Sequence, residues 1–203
     1  MRKLCDYYFV CTSPWTYLGH ERLLAMARKH DIEIRAKPIN LGQIFSVSGG
    51  LPLAKRAAQR QAYRLVELER WRKQCGLPLN IHPKFFPADD RLAARSVIAA
   101  AQSLGSEAAL AVAGHMLKAV WADDLNIADE STVLMLLQSL DFKAEDILMQ
   151  ANTEAVQKHY EANTEEAMQA GVFGAPWYIF EGVPYWGQDR LDFLEAAFTA
   201  SGR

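Results

Sequence analysis

Cysteine is scarce in this 203-residue chain. There are three (Cys5, Cys11, Cys75), an odd number, with no C-x-x-C pair and no zinc-type spacing. Disulfide scaffolds, zinc fingers and dithiol redox catalysis are excluded on that ground. Long apolar runs are missing as well, and none approaches the ~18–20 residues that cross a bilayer. Charge of one sign is lacking: 22 Lys+Arg face 24 Asp+Glu for a net −2, so no global attraction to nucleic acid is expected. The opening Met1-Arg2-Lys3-Leu4-Cys5-Asp6 meets an acid too early for an export signal. A reduced, cytoplasmic protein is the expectation. The histidines (His20, His30, His82, His115, His159) share no metal-ligand spacing, and no G-x-S-x-G elbow, Walker loop or dinucleotide fingerprint occurs.

What is present is an ordinary globular composition, 50% hydrophobic and 23% charged, sized for one domain or one domain with a large insertion. Leu4 to Val10 is an apolar-aromatic run with the character of a buried strand. Ser13-Pro14 opens a helix whose Gly19, Leu23, Met26 and Ala27 form one packing stripe. Ile32 to Lys37 alternates as a half-exposed strand before Pro38, and two strands joined by a helix are most simply parallel. After Gly49-Gly50-Leu51-Pro52 the pattern is helical almost without pause to Gly171. The expected stripes there are Ala58/Ala62/Leu65/Val66, Ala93/Val97/Ala100/Ala101/Leu104 and Leu110/Ala113/Gly114/Leu117/Trp121, followed by a helix from Thr153 to Ala170. Trp177 to Phe180 and Val183 to Trp186 flank Gly182 as an antiparallel hairpin, and Asp189 is expected to cap a last helix bearing Leu191, Leu194 and Phe198. The fold class is therefore α/β, a sheet domain interrupted by an all-helical insertion, with both β halves in one sheet. The division expected is residues 1–45 with 171–203, and 46–170 as the insertion.

Three segments carry chemistry. Ser13 stands where a strand meets a helix, a place whose dipole and free N–H groups favour an anion, including a thiolate. Taken alone, it reads first as a structural N-cap, since Ser-Pro is common at helix starts. Gly174-Ala175-Pro176 precedes a strand, where a cis X–Pro bond would turn the Ala175 backbone toward a peptide-like ligand and a trans bond would simply open an edge strand. Trp186-Gly187-Gln188-Asp189-Arg190 opens the last helix, so its N–H groups and Asp189 suit the carboxylate and ammonium of an α-amino acid. Lys55, Arg56, Arg60 and Arg64 share helix faces that either attract an anion or are merely solvated. Cys11, close to Ser13 but without a partner thiol, has no redox role.

In order, Phe9-x-x-x-Ser13-Pro14-Trp15-Thr16-Tyr17-Leu18-Gly19, His82-Pro83-Lys84-Phe85-Phe86-Pro87, Trp121-x-x-x-x-Asn126-Ile127, Phe173-Gly174-Ala175-Pro176 and Trp186 to Phe193 form a pattern. Over nearly its whole length the chain resembles the 2-hydroxychromene-2-carboxylate isomerases and the kappa-class glutathione transferases. The resemblance implies a thioredoxin-like domain with a helical insertion, related to the DsbA-type oxidoreductases. Ser13 would replace their nucleophilic cysteine and Thr16 the second. It further implies glutathione as cofactor, with Ser13 donating to its thiolate, Ala175 and the cis-proline Pro176 meeting its backbone, and Gln188 and Asp189 at its γ-glutamyl end. A small aromatic substrate would lie among Trp15, Tyr63, Phe85 and Phe86 with Arg60 as carboxylate partner, and the protein would be a homodimer. A kappa-like transferase or peroxidase, and a non-catalytic thioredoxin-like binding module, are the alternatives. Two departures stand out. Val10 occupies a position where the family usually has aspartate, and Gly50 replaces the asparagine of a Gly-Asn-x-Pro loop.

Overall fold

The computed structural model describes residues 3–202. Strand β1 (Lys3–Phe9) leads through Ser13 into helix α1 (Pro14–Lys29), and β2 (Ile32–Pro38) returns parallel to β1. After the helical segment, β3 (Trp177–Phe180) and β4 (Val183–Trp186) close a hairpin, and the last helix follows at Leu191–Ser201. The sheet order is β2-β1-β3-β4, with β3 antiparallel to β1, and Tyr7 opposite Tyr178. The parallel pair, the antiparallel hairpin and their union in one sheet are all as the sequence predicts.

Both faces are covered at the end of β1, which is why Tyr7, Tyr8 and Phe9 are aromatic in succession rather than alternating with polar residues. Cys5, Tyr7 and Phe9 point into the larger core, where the Tyr7 ring stacks between Phe9 (4.6 Å) and Tyr178 (5.4 Å). Tyr8 and Val10 point the other way, into a smaller cluster with Ile39, Ile44, Ala167 and Trp177.

The helices between are α2 (Leu41–Ser48), α3 (Ala58–Cys75), α4 (Arg91–Leu104), α5 (Ser106–Trp121), α6 (Glu130–Gln138), α7 (Ala144–Ala151) and α8 (Glu154–Gln169); the closing helix is α9. Helix α2 has no counterpart in the sequence reading and spans residue 45, where the first segment was expected to end. Asn40 caps it by accepting the Gln43 N–H at 3.2 Å. Residues 76–90 contain no helix, a longer interruption than "almost without pause". The expected stripe on α3 is also corrected: Ala58, Ala62 and Val66 are exposed, Leu65 is half-buried, and Leu68 is the buried residue of that helix. Helix α3 touches the body along a narrow line because ten of its 18 residues are long polar or charged side chains. In contrast, α4 and α5 bury Ala93, Val97, Ala100, Leu110, Ala113, Leu117 and Trp121, although Leu104 is exposed. One hydrophobic cluster runs continuously from the sheet through these helices.

Three hydrogen bonds pin the start of α1 to this helical mass. Trp121 Nε1 donates to the Thr12 carbonyl at 3.2 Å, and Tyr17 Oη to the Pro78 carbonyl at 2.7 Å. His20, fully inside, bridges Tyr7 Oη (3.3 Å) and the Leu110 carbonyl (3.1 Å). Burial keeps His20 neutral by lowering its pKa.

Candidate active site

Ser13 is the N-cap of α1. Its backbone is extended (φ −81°, ψ 123°), and its Oγ accepts the Thr16 N–H at 3.2 Å. Pro14 takes the first helical position, where a missing N–H costs nothing. A hydroxyl oxygen that caps still has its own proton to give, and no acceptor holds that proton among the described residues. The first turn contains no acidic side chain, and the last carries Arg28 and Lys29. The first turn of the helix itself thus supplies no counter-charge to its positive end. Ser13 is 7% exposed, enough to line a cleft of about 450 Å³ between the sheet and α2–α3.

The opposite lip is the loop before β3. The Ala175–Pro176 peptide bond is cis, as the resemblance implies. The ladder begins at Trp177, so the N–H and C=O of Ala175, which lines the cleft, lie outside it. The Pro176 carbonyl accepts the Gly187 N–H at 2.9 Å, tying this loop to the last turn. A second cis bond, Phe86–Pro87, was not foreseen.

Past Trp15, Ala175 and Trp186 the cleft widens into an outer part of about 600 Å³, lined also by Gln188, Asp189 and Tyr63. Gly187, at φ +97°, turns the chain into a short 3-10 turn, Gln188–Arg190, before α9 begins. This corrects the expected cap. Asp189 makes no capping bond and instead pairs with Arg190 at 3.1 Å. Gln188 is buried, with its Oε1 accepting from Arg22 Nη1 at 3.3 Å. The turn sits hard on α1: a Cβ on Gly19 would stand 2.6 Å from Gln188 Cβ.

Of the expected substrate residues, Trp15, Arg60 and Phe86 line the inner cleft and Tyr63 the outer part. Phe85 lines neither, and its ring is covered by Lys84 at 5.0 Å. Arg56 and Arg64, classed above with the basic helix face, join Arg60 in both parts of the cleft. The Arg64 guanidinium lies over Phe86 (5.3 Å) and Trp121 (5.6 Å), and Arg56 over Phe45 at 5.9 Å. Burial, with repulsion from Arg56, lowers Arg64 to about 10; burial and Arg60 lower Arg56. Both stay cationic at neutral pH.

Phe45 explains the Gly50 departure. A Cβ at Gly50 would come within 2.1 Å of the Phe45 ring, so the aromatic side chain fills the space an asparagine would need. The sequence reading did not single out Phe45 because it belongs to the unforeseen helix α2. Asp90 was missed as well. It occupies the N-cap position of α4 but makes no capping bond; instead its carboxyl lies against the backbone N–H groups of Cys11 and Thr12 and accepts from Thr12 Oγ1 at 3.4 Å. Burial pushes it up to about 6, against the pull of those N–H groups and with help from Asp89. Asp90 therefore steadies the loop that ends at Ser13, near where Val10 leaves the strand without an acid. Cys11 is buried and its thiol pKa is raised by burial and by Asp90, so it is no thiolate.

Among the described residues no cluster of His, Cys, Asp and Glu could hold a metal ion, and no helix is long and apolar enough to cross a membrane.

Known proteins resemble this chain over nearly its whole length. A 2-hydroxychromene-2-carboxylate isomerase from Sphingobium xenophagum is 28% identical over 197 residues, 97% of this chain and 98% of that protein. Glutathione S-transferase kappa 1 of Rattus norvegicus is 23% identical, over 95% of this chain and 89% of its own. The solved structure of a 2-hydroxychromene-2-carboxylate isomerase superposes with a TM-score of 0.83 at 26% identity, covering 97% of this chain and 95% of that one. The family model for DSBA-like thioredoxin domains matches residues 5–199, and the chain belongs to that family, an α/β thioredoxin-like fold with a helical insertion.

Proposed function

We propose that this protein is a glutathione-dependent isomerase of the 2-hydroxychromene-2-carboxylate type. The observation that carries the reading is Ser13: its oxygen caps Thr16 while its proton is uncommitted, at an acid-free helix start in the wall of a cleft. A hydroxyl cannot exchange disulfides, but it can donate to a bound thiolate and hold it ionised. When bound, glutathione supplies a thiolate that adds reversibly to the conjugated substrate, so that one bond is free to rotate before the thiol leaves.

This chain's residues position and shield. Ala175 offers a backbone N–H and C=O outside the ladder to a tripeptide's peptide groups, on the cis Pro176 turn. The turn at Gln188 and Asp189 receives the γ-glutamyl end; because the Gln188 side chain is held by Arg22, backbone groups and the half-exposed Asp189 carboxylate are the parts available. Trp15, Phe86 and Phe45 exclude water from the inner cleft, where Arg60 meets an acidic group of the substrate. We further propose a cytoplasmic homodimer, with residues 1–45 and 171–203 as the thioredoxin-like unit and 46–170 as the insertion.

A kappa-like transferase or peroxidase reaction on the same bound thiol is the second reading, supported by the 23% identity to glutathione S-transferase kappa 1 over 95% of this chain. The two separate on glutathione balance. Incubation with 2-hydroxychromene-2-carboxylate should give a thiol-dependent approach to the cis–trans equilibrium with glutathione fully recovered. Glutathione consumed in proportion to product would support the second reading, and no thiol dependence would refute both.

A further inference from the structure

Six arginines among the described residues, including Arg22, Arg35 and Arg91, are ion-paired with carboxylates. Arg56, Arg60 and Arg64 are not, and all three converge on the inner cleft, whose lining contains no Asp or Glu. The outer part, which the same three arginines line, holds two acids, Glu67 and Asp189, and both are ion-paired, Asp189 with Arg190 at 3.1 Å. Arg56 Nε donates to the Leu51 carbonyl at 2.8 Å, and Glu67, one turn beyond Tyr63, is taken by Arg70 at 2.5 Å. Arg64 is stacked on Phe86 and Trp121, yet its Nη2 is buried without a hydrogen-bond partner. A buried guanidinium N–H left unpaired is costly unless a ligand satisfies it. Arg60 and Arg64 are one helical turn apart, ~6 Å along the face.

One carboxylate presents two oxygens, which suits a single forked guanidinium. It would leave an excess of two positive charges in an acid-free cleft walled by Phe45, Trp15 and Phe86. Where Gly50 and Phe45 remove room for an amide, the wall offers an aromatic ring with Arg56 standing over it. We infer that the inner cleft is a subsite for a substrate with two acidic groups, an aromatic or conjugated dicarboxylate, one group on Arg64 and the second on Arg60 and Arg56. The inference builds on the proposed isomerase reading for the reaction, while the subsite itself can be tested without glutathione.

The test is a tryptophan-fluorescence titration of the full chain with benzoate and with isophthalate, in the absence of glutathione. Isophthalate should bind at least tenfold more tightly. Arg64→Gln should erase that preference, and so should Arg60→Gln, an exposed position that leaves folding intact; Arg28→Gln, outside the cleft, should not. Equal affinities for the two acids, or a preference that survives both cleft variants, would overturn the subsite. So would complete competition by S-methylglutathione, since the row would then serve the tripeptide's own carboxylates. A preserved isophthalate preference in a protein that binds no glutathione would uphold the subsite and count against the isomerase reading alone.

Discussion

The two walls of the cleft are built differently. The wall formed by the β1–α1 turn, the Gly174–Pro176 loop and the Gln188 turn is tightly tied down: Ser13, Thr16, Pro176 and Gln188 are buried, Trp121 donates to the Thr12 carbonyl, Tyr17 donates out to Pro78, and Gly187 donates to Pro176. The facing wall of α2, the Leu53–Lys55 turn and the start of α3 is lightly attached. Helix α2 buries Ile44, α3 buries Leu68, and Val47, Leu51 and Tyr63 are largely exposed. The anion-stabilising geometry thus rests on the part of the molecule that costs most to move, and the groups that meet a substrate sit on the part that adjusts most cheaply. Such a division lets one thiol-activating centre serve different substrates through changes in the second wall.

Perturbing the rigid wall should have the largest consequences. Ser13→Ala removes the donor to the thiolate and should lower kcat/KM at saturating glutathione by roughly 100-fold or more, while loss of the cap costs about 1 kcal/mol of stability. Turnover assays and a denaturation curve on the same preparation separate the two effects, and unchanged turnover would remove Ser13 from the mechanism. Gly19→Ala tests the close approach of α1 and the Gln188 turn: the new Cβ meets Gln188 Cβ at 2.6 Å and should destabilise by about 1–3 kcal/mol in urea unfolding. A neutral result would mean that the turn is not fixed there.

Asp90 sharpens the comparison through pH. Its carboxyl is raised to about 6, above the ~3.9 of an unfolded aspartate. The folded state therefore binds the proton more tightly. This contribution to stability is complete below about pH 4 and is lost as pH rises through about 6. Asp90→Asn, which stays neutral, should raise Tm by a few degrees near pH ~7.5 and lose that advantage near pH ~4. A lower Tm for the variant at the higher pH would show that the Cys11 and Thr12 N–H groups outweigh burial. The smallest stability effect belongs to the adjustable wall. Gly50→Ala brings a Cβ against the Phe45 ring, but that ring ends a half-exposed side chain that can swing aside. Stability should change by less than ~1 kcal/mol, with the consequence visible in substrate KM.

The same division governed what could be read from sequence. The strands, the parallel pair and the hairpin followed from local signals, the aromatic run at Tyr7 to Phe9, the alternation from Ile32 and the turn at Gly182, whereas the order of the strands came from the structure. Most of the rigid wall was legible too, since Ser13-Pro14 and Ala175-Pro176 announce a cap and a turn through residue type, although the expected Asp189 cap is in fact the Gln188–Arg190 turn. The looser wall was not. Helix α2 is eight residues long and begins at an asparagine cap easily taken for loop. Ala58, Ala62 and Val66 share a stripe in sequence yet face solvent, because α3 meets the body chiefly at Leu68. Arg64 reads as a solvated helix residue until Phe86 and Trp121, distant in sequence, close around it. Asp90 resembles a helix cap and is turned by tertiary contact toward Cys11 and Thr12. Phe85 fails in the opposite sense: it adjoins Phe86 in sequence but is directed elsewhere, under Lys84.

The central claim, that Ser13 and its helix start hold a glutathione thiolate, is tested most directly by calorimetric titration of the protein with glutathione and with S-methylglutathione. The account predicts micromolar-to-millimolar binding of glutathione that weakens when the sulfur is methylated and in Ser13→Ala. Equal binding of the two ligands, or binding of neither, would contradict it.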